Sequence, residues 1–344
     1  MKRIRLQIFV AISVTLCITG CRKELCYDYD EHSLTVKTVA VAQWEQVWER
    51  NYGMNWEAEW NNGWNYAYND LRPETGTGIR SIVYRHDGTH AEGNLPPEGG
   101  RVPMMEEGTN AILFYNNDTE YIVFNDLPSS AVASASTRTR TRGGFSGIHD
   151  GERTVVPPDM LYGCYVDGYV AEKTWDPVEL PITLKPLTYA YLIRYEFQSG
   201  LQYVALARGA LAGMAESVYL QDGHTGEKAA TILFDCKTEA FGADVILHSF
   251  GVPNYPGDDY KRPRKAQNYT LSLEVCLKNG KTLNYAFDVT DQLNKQPRGG
   301  VIVVKNIVVS DEDGKEGSSA FNPEVSGWGD EIDIDLPIGE GNTN

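Results

Sequence analysis

The stretch "YTLSLEVCLKNGKTLNYAFDV", residues 269–289, decides the fold class. Leu271, Leu273, Val275 and Leu277 fall on one face of an extended chain, and Leu283, Tyr285, Phe287 and Val289 repeat the pattern after Asn279-Gly280. Successive side chains of a strand point to opposite faces, so a period of two reads as a pair of strands. Asn-Gly tolerates positive φ at both positions, which predicts a two-residue type I′ hairpin.

The same signal recurs along the chain. Tyr189, Tyr191, Ile193, Tyr195 and Phe197 alternate. Shorter apolar runs, "AILFY" (111–115), "YIVF" (121–124), "TILF" (231–234) and "VIVV" (301–304), are bounded by Gly, Asn, Asp or Pro. With 33 glycines and few long helical periods, the pattern predicts an all-β protein built from β-sandwiches. "PSSAVASASTRTRTRGGFSG" (128–147) has almost no large apolar residue to bury, so it reads as a linker or long exposed loop. The expected organisation is a sandwich over residues 31–127, a Ser/Thr/Arg-rich linker over 128–154 and a second sandwich over 155–344.

The N-terminus carries a different message. Lys2, Arg3 and Arg5 precede an apolar run from Ile8 to Ile18, the arrangement of a signal peptide. A membrane-spanning helix needs about 20 apolar residues, so this run is too short to be one. Ile18-Thr19-Gly20-Cys21 has the form of a bacterial lipobox: a branched aliphatic residue, two small residues, then the cysteine that takes the lipid. The expectation is a signal peptide over 1–20, lipidation of Cys21 and a tether over 21–30. Cys17 lies inside the apolar run without a small pair before it, and Cys26 comes too late.

Charge narrows the partners. The chain has 31 basic and 47 acidic residues, and loss of the three basic residues in the first twenty moves the net charge from −16 to −19. Such a surface repels phosphate backbones, so no nucleic acid is expected as a partner. The remaining cysteines, Cys26, Cys164, Cys236 and Cys276, have no CxxC spacing and predict no zinc knuckle. Export permits a disulfide, but the pairing cannot be read from spacing.

Five tryptophans, Trp44, Trp48, Trp56, Trp60 and Trp64, stand four, eight, four and four residues apart. On helical turns they would share a face. Exposed, that face could stack on sugar rings; buried, it would be an amphipathic insert covering the open face of the first sandwich, which is the preferred reading because large aromatics dominate cores. His86 and His90 flank Asp87-Gly88, a turn signal rather than a helix, and lack a third ligand nearby. "DEDGKE" (311–316) misses the EF-hand register and reads as a solvated acidic turn. No GxSxG, HExxH, P-loop or GxGxxG pattern is present, so no enzyme, metal or cofactor is expected. Near the C-terminus "EIDIDLPI" (331–338) alternates, with Ile332, Ile334, Leu336 and Ile338 on one face. It reads as a strand that completes its own sheet or is donated to a partner's.

The blocks "CRKELCYDYDEHSL" (21–34), "LFYNNDTEYIVF" (113–124), "PPDMLYG" (157–163), "LIRYEFQSGLQYVALARGALAGMAESVYL" (192–220) and "DVTDQLNKQPRGGVIVV" (288–304) together resemble a family of Bacteroidales lipoproteins related to fimbrillin-like fimbrial anchor and accessory proteins. The resemblance implies two tandem transthyretin-like or immunoglobulin-like β-sandwich domains behind a cleaved lipoprotein signal peptide. It also implies lipid anchoring at the outer membrane, contacts with other surface or fimbrial proteins, and no catalysis. Fimbrillin-type subunits are commonly matured by cleavage at a basic site near the first strand. Here the obvious basic run, Arg138, Arg140 and Arg142, lies between the two units instead.

Overall fold

The computed structural model describes residues 33–50, 54–103, 105–140, 148–256 and 268–315. Cys21, Cys26, Arg142 and the 331–338 segment lie outside them. The strands begin with β1 (Thr35–Val36), β2 (Thr38–Trp44), β3 (Ile79–Arg85), β4 (His90–Leu95), β5 (Gly99–Arg101) and β6 (Gly108–Asn116). Next come β7 (Ile122–Asn125), β8 (Ser134–Thr137), β9 (Thr154–Val155), β10 (Tyr162–Ala171), β11 (Lys173–Thr174) and β12 (Val178–Pro186). The remainder are β13 (Tyr189–Ser199), β14 (Val204–Ala215), β15 (Ser217–Tyr219), β16 (Ala229–Glu239), β17 (Gly242–Ser249), β18 (Thr270–Leu277), β19 (Thr282–Asp288) and β20 (Gly300–Val308). Among the described residues three short helices accompany them: α1 (Trp56–Glu59), α2 (Thr290–Lys295) and α3 (Asp311–Lys315).

Two sheets of the same plan result. The first has the order β4-β3-β6-β10-β12-β2-β5, the second β19-β18-β14-β16-β17-β13-β20 with β9 beside β16. Each folds over on itself at a short link, two paired residues between β10 and β12 and three between β16 and β17. A four-stranded half thereby faces a three-stranded half, and the apolar side chains meet between them. In the first unit Ile79, Val83, Ile112 and Phe114 pack against Ala40, Ile182 and Leu184. In the second, Leu211, Leu271, Leu273 and Val275 pack against Tyr191, Ile193, Tyr195 and Ile302. The buried tyrosines find acceptors: the Tyr191 hydroxyl donates to the Gln296 carbonyl at 3.0 Å and that of Tyr195 to the Ser272 carbonyl at 2.9 Å. Each three-stranded half also contains a parallel pair, β2 with β12 and β13 with β20.

The 269–289 hairpin forms as β18 and β19, with Leu271 opposite Phe287 and Val275 opposite Leu283. Its turn differs from the predicted type. Gly280 alone takes a positive φ, 87°, and Leu277 N–H donates to the Lys281 carbonyl. The loop is therefore a three-residue one with glycine in the left-handed position. The hairpin of β3 and β4 does turn at Asp87-Gly88.

The division between the units falls later than the composition suggested. β10 and β12, residues 162–186, pair with β6 and β2 and so complete the first sheet. The chain passes into the second unit between Pro186 and Tyr189. The stretch expected to be a linker is largely built in: β8 pairs with β7 and with β15. Ala133 and Ala135 are fully buried against Ile82, Leu113 and Tyr115 from the first unit and Val218 and Phe250 from the second. Small residues there permit close approach of two sheets, a property that composition does not separate from disorder.

This placement sets the outcome of limited proteolysis. Arg138 N–H donates to the Tyr121 carbonyl, Val156 N–H to the Arg138 carbonyl and Arg140 N–H to the Thr154 carbonyl, at 3.0–3.1 Å. Trypsin needs an extended, unpaired segment, so cleavage after Arg138 or Arg140 should be slow. A nick anywhere in 138–142 should leave the halves co-eluting on native size exclusion while separating on a denaturing gel. Separation in native buffer would refute the pairing of residues 162–186 with the first sheet.

Candidate attachment surfaces

The tryptophan-rich segment runs over the outside of the second unit rather than the first. α1 is its only α-helical part among the described residues, with Asn55 as N-cap, its side chain accepting from Ala58 N–H at 3.3 Å. A long amphipathic insert does not form: Asn61, Asn62 and Gly63 break the period, the Asn61 side chain accepting from Gly63 N–H at 2.8 Å. Trp48 and Trp56, 2% and 8% exposed, pack with Leu71 on Ala190, Leu192 and Val301, the outer residues of β13 and β20. Trp60 and Trp64 are half-buried and meet edge to face, centroids 4.9 Å apart at 89°. Trp44 is not part of this group. It lies in the first unit, edge-on to Tyr162 at 5.0 Å, its indole N–H donating to the Pro97 carbonyl at 2.8 Å.

Beneath this cover lies a buried charge pair. Arg194 of β13 and Asp244 of β17 stand 3.8 Å apart, both almost inaccessible, with the Arg194 guanidinium 3.7 Å over the Phe241 ring. Burial pushes the Asp244 carboxyl up, the Glu239 charge adds to this and Arg194 opposes it. A folded-state value above the ordinary 3.8 means that the folded chain holds this proton more tightly than the unfolded one. Its contribution to stability therefore grows as pH falls through the raised value towards 3.8. Asp244→Asn removes that dependence. The melting temperature of the variant minus that of wild type should be greater at pH 7 than near pH 4; an unchanged difference would contradict the assignment.

Other sequence candidates resolve plainly. Arg138 is exposed, whereas the Arg140 guanidinium donates to the Leu233 carbonyl at 2.9 Å and to Asp235 at 3.1 Å. Cys164, Cys236 and Cys276 are free thiols. Asp311–Lys315 of the "DEDGKE" run form a short helix, α3, rather than a turn, because the Ser310 hydroxyl accepts from Asp313 N–H at 3.0 Å and caps it. Among the described residues no group of three or more His, Cys, Asp or Glu side chains could hold a metal ion. No described helix is long and apolar enough to cross a membrane.

What sequence reasoning missed is a cleft of about 730 Å³ beside β1, lined by Val36, Arg101, Val102, Pro103, Met105 and Lys173. Among the described residues β1 pairs only with β11, Thr35 with Thr174 and Val36 with Lys173, and two such short, mostly polar pieces carry no period for a sequence to show.

Comparison with known proteins places this architecture. A full-length relative, "Putative fimbrium anchoring subunit Fim4B" of Bacteroides ovatus, is 22% identical over 374 residues, covering 98% of this chain and 100% of the relative. Among solved structures, one described as a "putative adhesin" from Bacteroides ovatus superposes with a TM-score of 0.56 at 18% identity, over 85% of this chain and 99% of the other. The fimbrial anchor protein Mfa2 of Porphyromonas gingivalis aligns with a TM-score of 0.44 at 10% identity, over 78% and 90%. The all-β fold of two units is thus shared with the first of these structures. The family profile described as "Domain of unknown function (DUF5119)" matches residues 64–235, half of the chain and the part that spans both sheets. The chain belongs to the DUF5119 family, related to fimbrial anchor and accessory proteins.

Proposed function

We propose that the chain is a non-catalytic outer-membrane lipoprotein, held by Cys21, that anchors or accompanies fimbria-like surface structures through protein–protein contacts. The observation that carries this is the end-to-end match to a relative named as a fimbrium anchoring subunit. The match spans 98% of this chain and 100% of the relative, so the resemblance extends over both sheets and is not confined to one unit. The lipobox at Ile18-Thr19-Gly20-Cys21 supports the placement, since an anchor must hold to the membrane. The relative's name is that of an attachment protein, which supports the non-catalytic reading.

A glycan-binding role for the tryptophan-rich segment has less support. Sugar stacking needs free aromatic faces, and these indoles are packed on β13 and β20 and against one another. The test is deletion of the gene in the native host. Fimbria-like polymers should pass from the cell surface into the medium, and in-cell cross-linking of the tagged chain should capture the polymer subunit. Full retention of polymer on cells together with absence of the cross-link would reject the proposal.

A further inference from the structure

Four large apolar side chains crowd one end of the first unit. Leu34 is 48% exposed, Val170 59%, Trp175 63% and Val178 41%. Single exposed apolar residues are normal, but these share one place in the fold. Thr35 pairs with Thr174 and Val36 with Lys173, so the ladder brings Leu34 opposite Trp175. Val170 lies at the end of β10, and Val178 opens β12, its N–H donating to the Lys37 carbonyl at 2.9 Å. β2 and β12 both start here and run in parallel to Trp44 and Pro186, beyond which the chain enters the second unit. The apolar end is thus the pole remote from that unit.

The turn bearing Trp175 is fixed rather than loose. The Lys37 ammonium, itself buried, donates to the Trp175 carbonyl at 2.8 Å, and the Thr174 hydroxyl donates to the Asp176 carbonyl at 2.7 Å. The backbone is held while the indole is left outside. Beside it the acidic Glu107 is paired with Lys173 at 2.9 Å.

We propose that this pole, with Leu34, Val170, Trp175 and Val178, rests on the lipid bilayer. The proposal builds on lipidation at Cys21. Leu34 is thirteen residues on from Cys21, which limits the reach of the tether to about 47 Å even when fully extended. The pole from which the chain departs towards the lipid is the one that carries the exposed apolar group. An indole with an apolar body and one N–H donor suits the headgroup boundary, where tryptophan is enriched. The acidic surface disfavours anionic headgroups, so the contact is apolar and directed to zwitterionic lipid. It orients the molecule, with the second unit projecting away from the membrane.

The test bypasses the native lipid. Residues 22–344 carrying an N-terminal hexahistidine in place of Cys21 are bound to zwitterionic vesicles containing nickel-chelating lipid and acyl chains brominated near the headgroup. Tryptophan emission should be quenched, and in Trp175→Phe the quenching should fall at least about threefold, because this is the indole placed at the boundary. Added salt should not reverse the quenching once tethering is retained. Equal quenching in wild type and Trp175→Phe, or none in either, overturns the proposal. So does a soluble dimer in which Trp175 becomes protected, since a second copy would then own the surface. Trp175 is exposed, so the variant should melt as wild type does, and an altered melting curve would count against the described turn. Because the tether is artificial, failure here is distinct from failure of Cys21 to be acylated in the cell.

Discussion

Cys21→Ala should move the protein from the detergent phase to the aqueous phase completely. Acyl chains contribute about 0.8 kcal/mol per buried methylene, and one myristoyl chain alone gives a membrane association constant of about 10⁴ M⁻¹. A lipoprotein cysteine carries a diacylglycerol and so exceeds that by orders of magnitude. The apolar pole at Trp175 cannot substitute, because it presents a few side chains to the interface rather than a chain to the hydrocarbon. In the native host the variant freed of its signal peptide should appear as a soluble species; any precursor that keeps the apolar Ile8–Ile18 run is told apart by its higher mass and left out of the partition. Metabolic labelling with a fatty acid should mark wild type and not the variant. Detergent-phase partitioning that survives the substitution would sink the lipoprotein reading, whatever the vesicle experiment gives. Protease shaving of whole cells then asks the narrower question of which leaflet holds the anchor.

The parts of the fold that were legible in the sequence are those whose signal is local. β18 could be read because Leu271, Leu273, Val275 and Leu277 are all fully buried on one side. Its turn type was not legible. Asn-Gly suits either loop length, and the choice is made by partners remote in sequence: the Asn279 side chain donates to the Asp313 carbonyl at 2.7 Å and Lys278 to the Gln202 carbonyl at 2.7 Å. Nor could local pattern reveal that β2 pairs with β12, since parallel pairing requires a crossover and leaves no mark in either strand. The unit boundary was misplaced for this reason and because Ala133 and Ala135 are small. Smallness reads as looseness in a composition and acts as close packing in the structure. The tryptophan segment was legible in kind but not in host. Indole-rich sequence predicts burial, whereas the face that receives it is set by Ala190, Leu192 and Val301, more than a hundred residues away.

Replacement of Trp48 by alanine should lower stability by about 3–5 kcal/mol, the usual cost of removing a buried large aromatic side chain. Trp48 is 2% exposed and stands at the centre of its cluster, with the ring of Trp60 at 5.8 Å and that of Tyr68 at 5.3 Å, both edge to face. Its indole N–H has no hydrogen-bond partner, so the apolar bulk rather than a polar contact carries the effect. Its backbone is fixed from two sides. The Trp48 carbonyl accepts from Ala190 N–H at 2.8 Å, and it lies so close to Gly299 that a Cβ there would come within 2.5 Å of it. Gly299 has a φ of 79°, so both the contact and the conformation require glycine. With the backbone held in place, the space left by the ring cannot be filled by collapse, which puts the loss towards the upper part of the range. In a thermal melt this corresponds to a fall on the order of 10 °C. Trp175→Ala is the control: the same residue type at 63% exposure should change stability by less than about 1 kcal/mol. If Trp48→Ala melts within a degree or two of wild type and instead abolishes binding to a glycan array, the cluster is a sugar platform and its packing on β13 and β20 is incidental. If it melts early and the array is blank for both proteins, the tryptophans are the means by which residues 48–71 are fastened to the second unit.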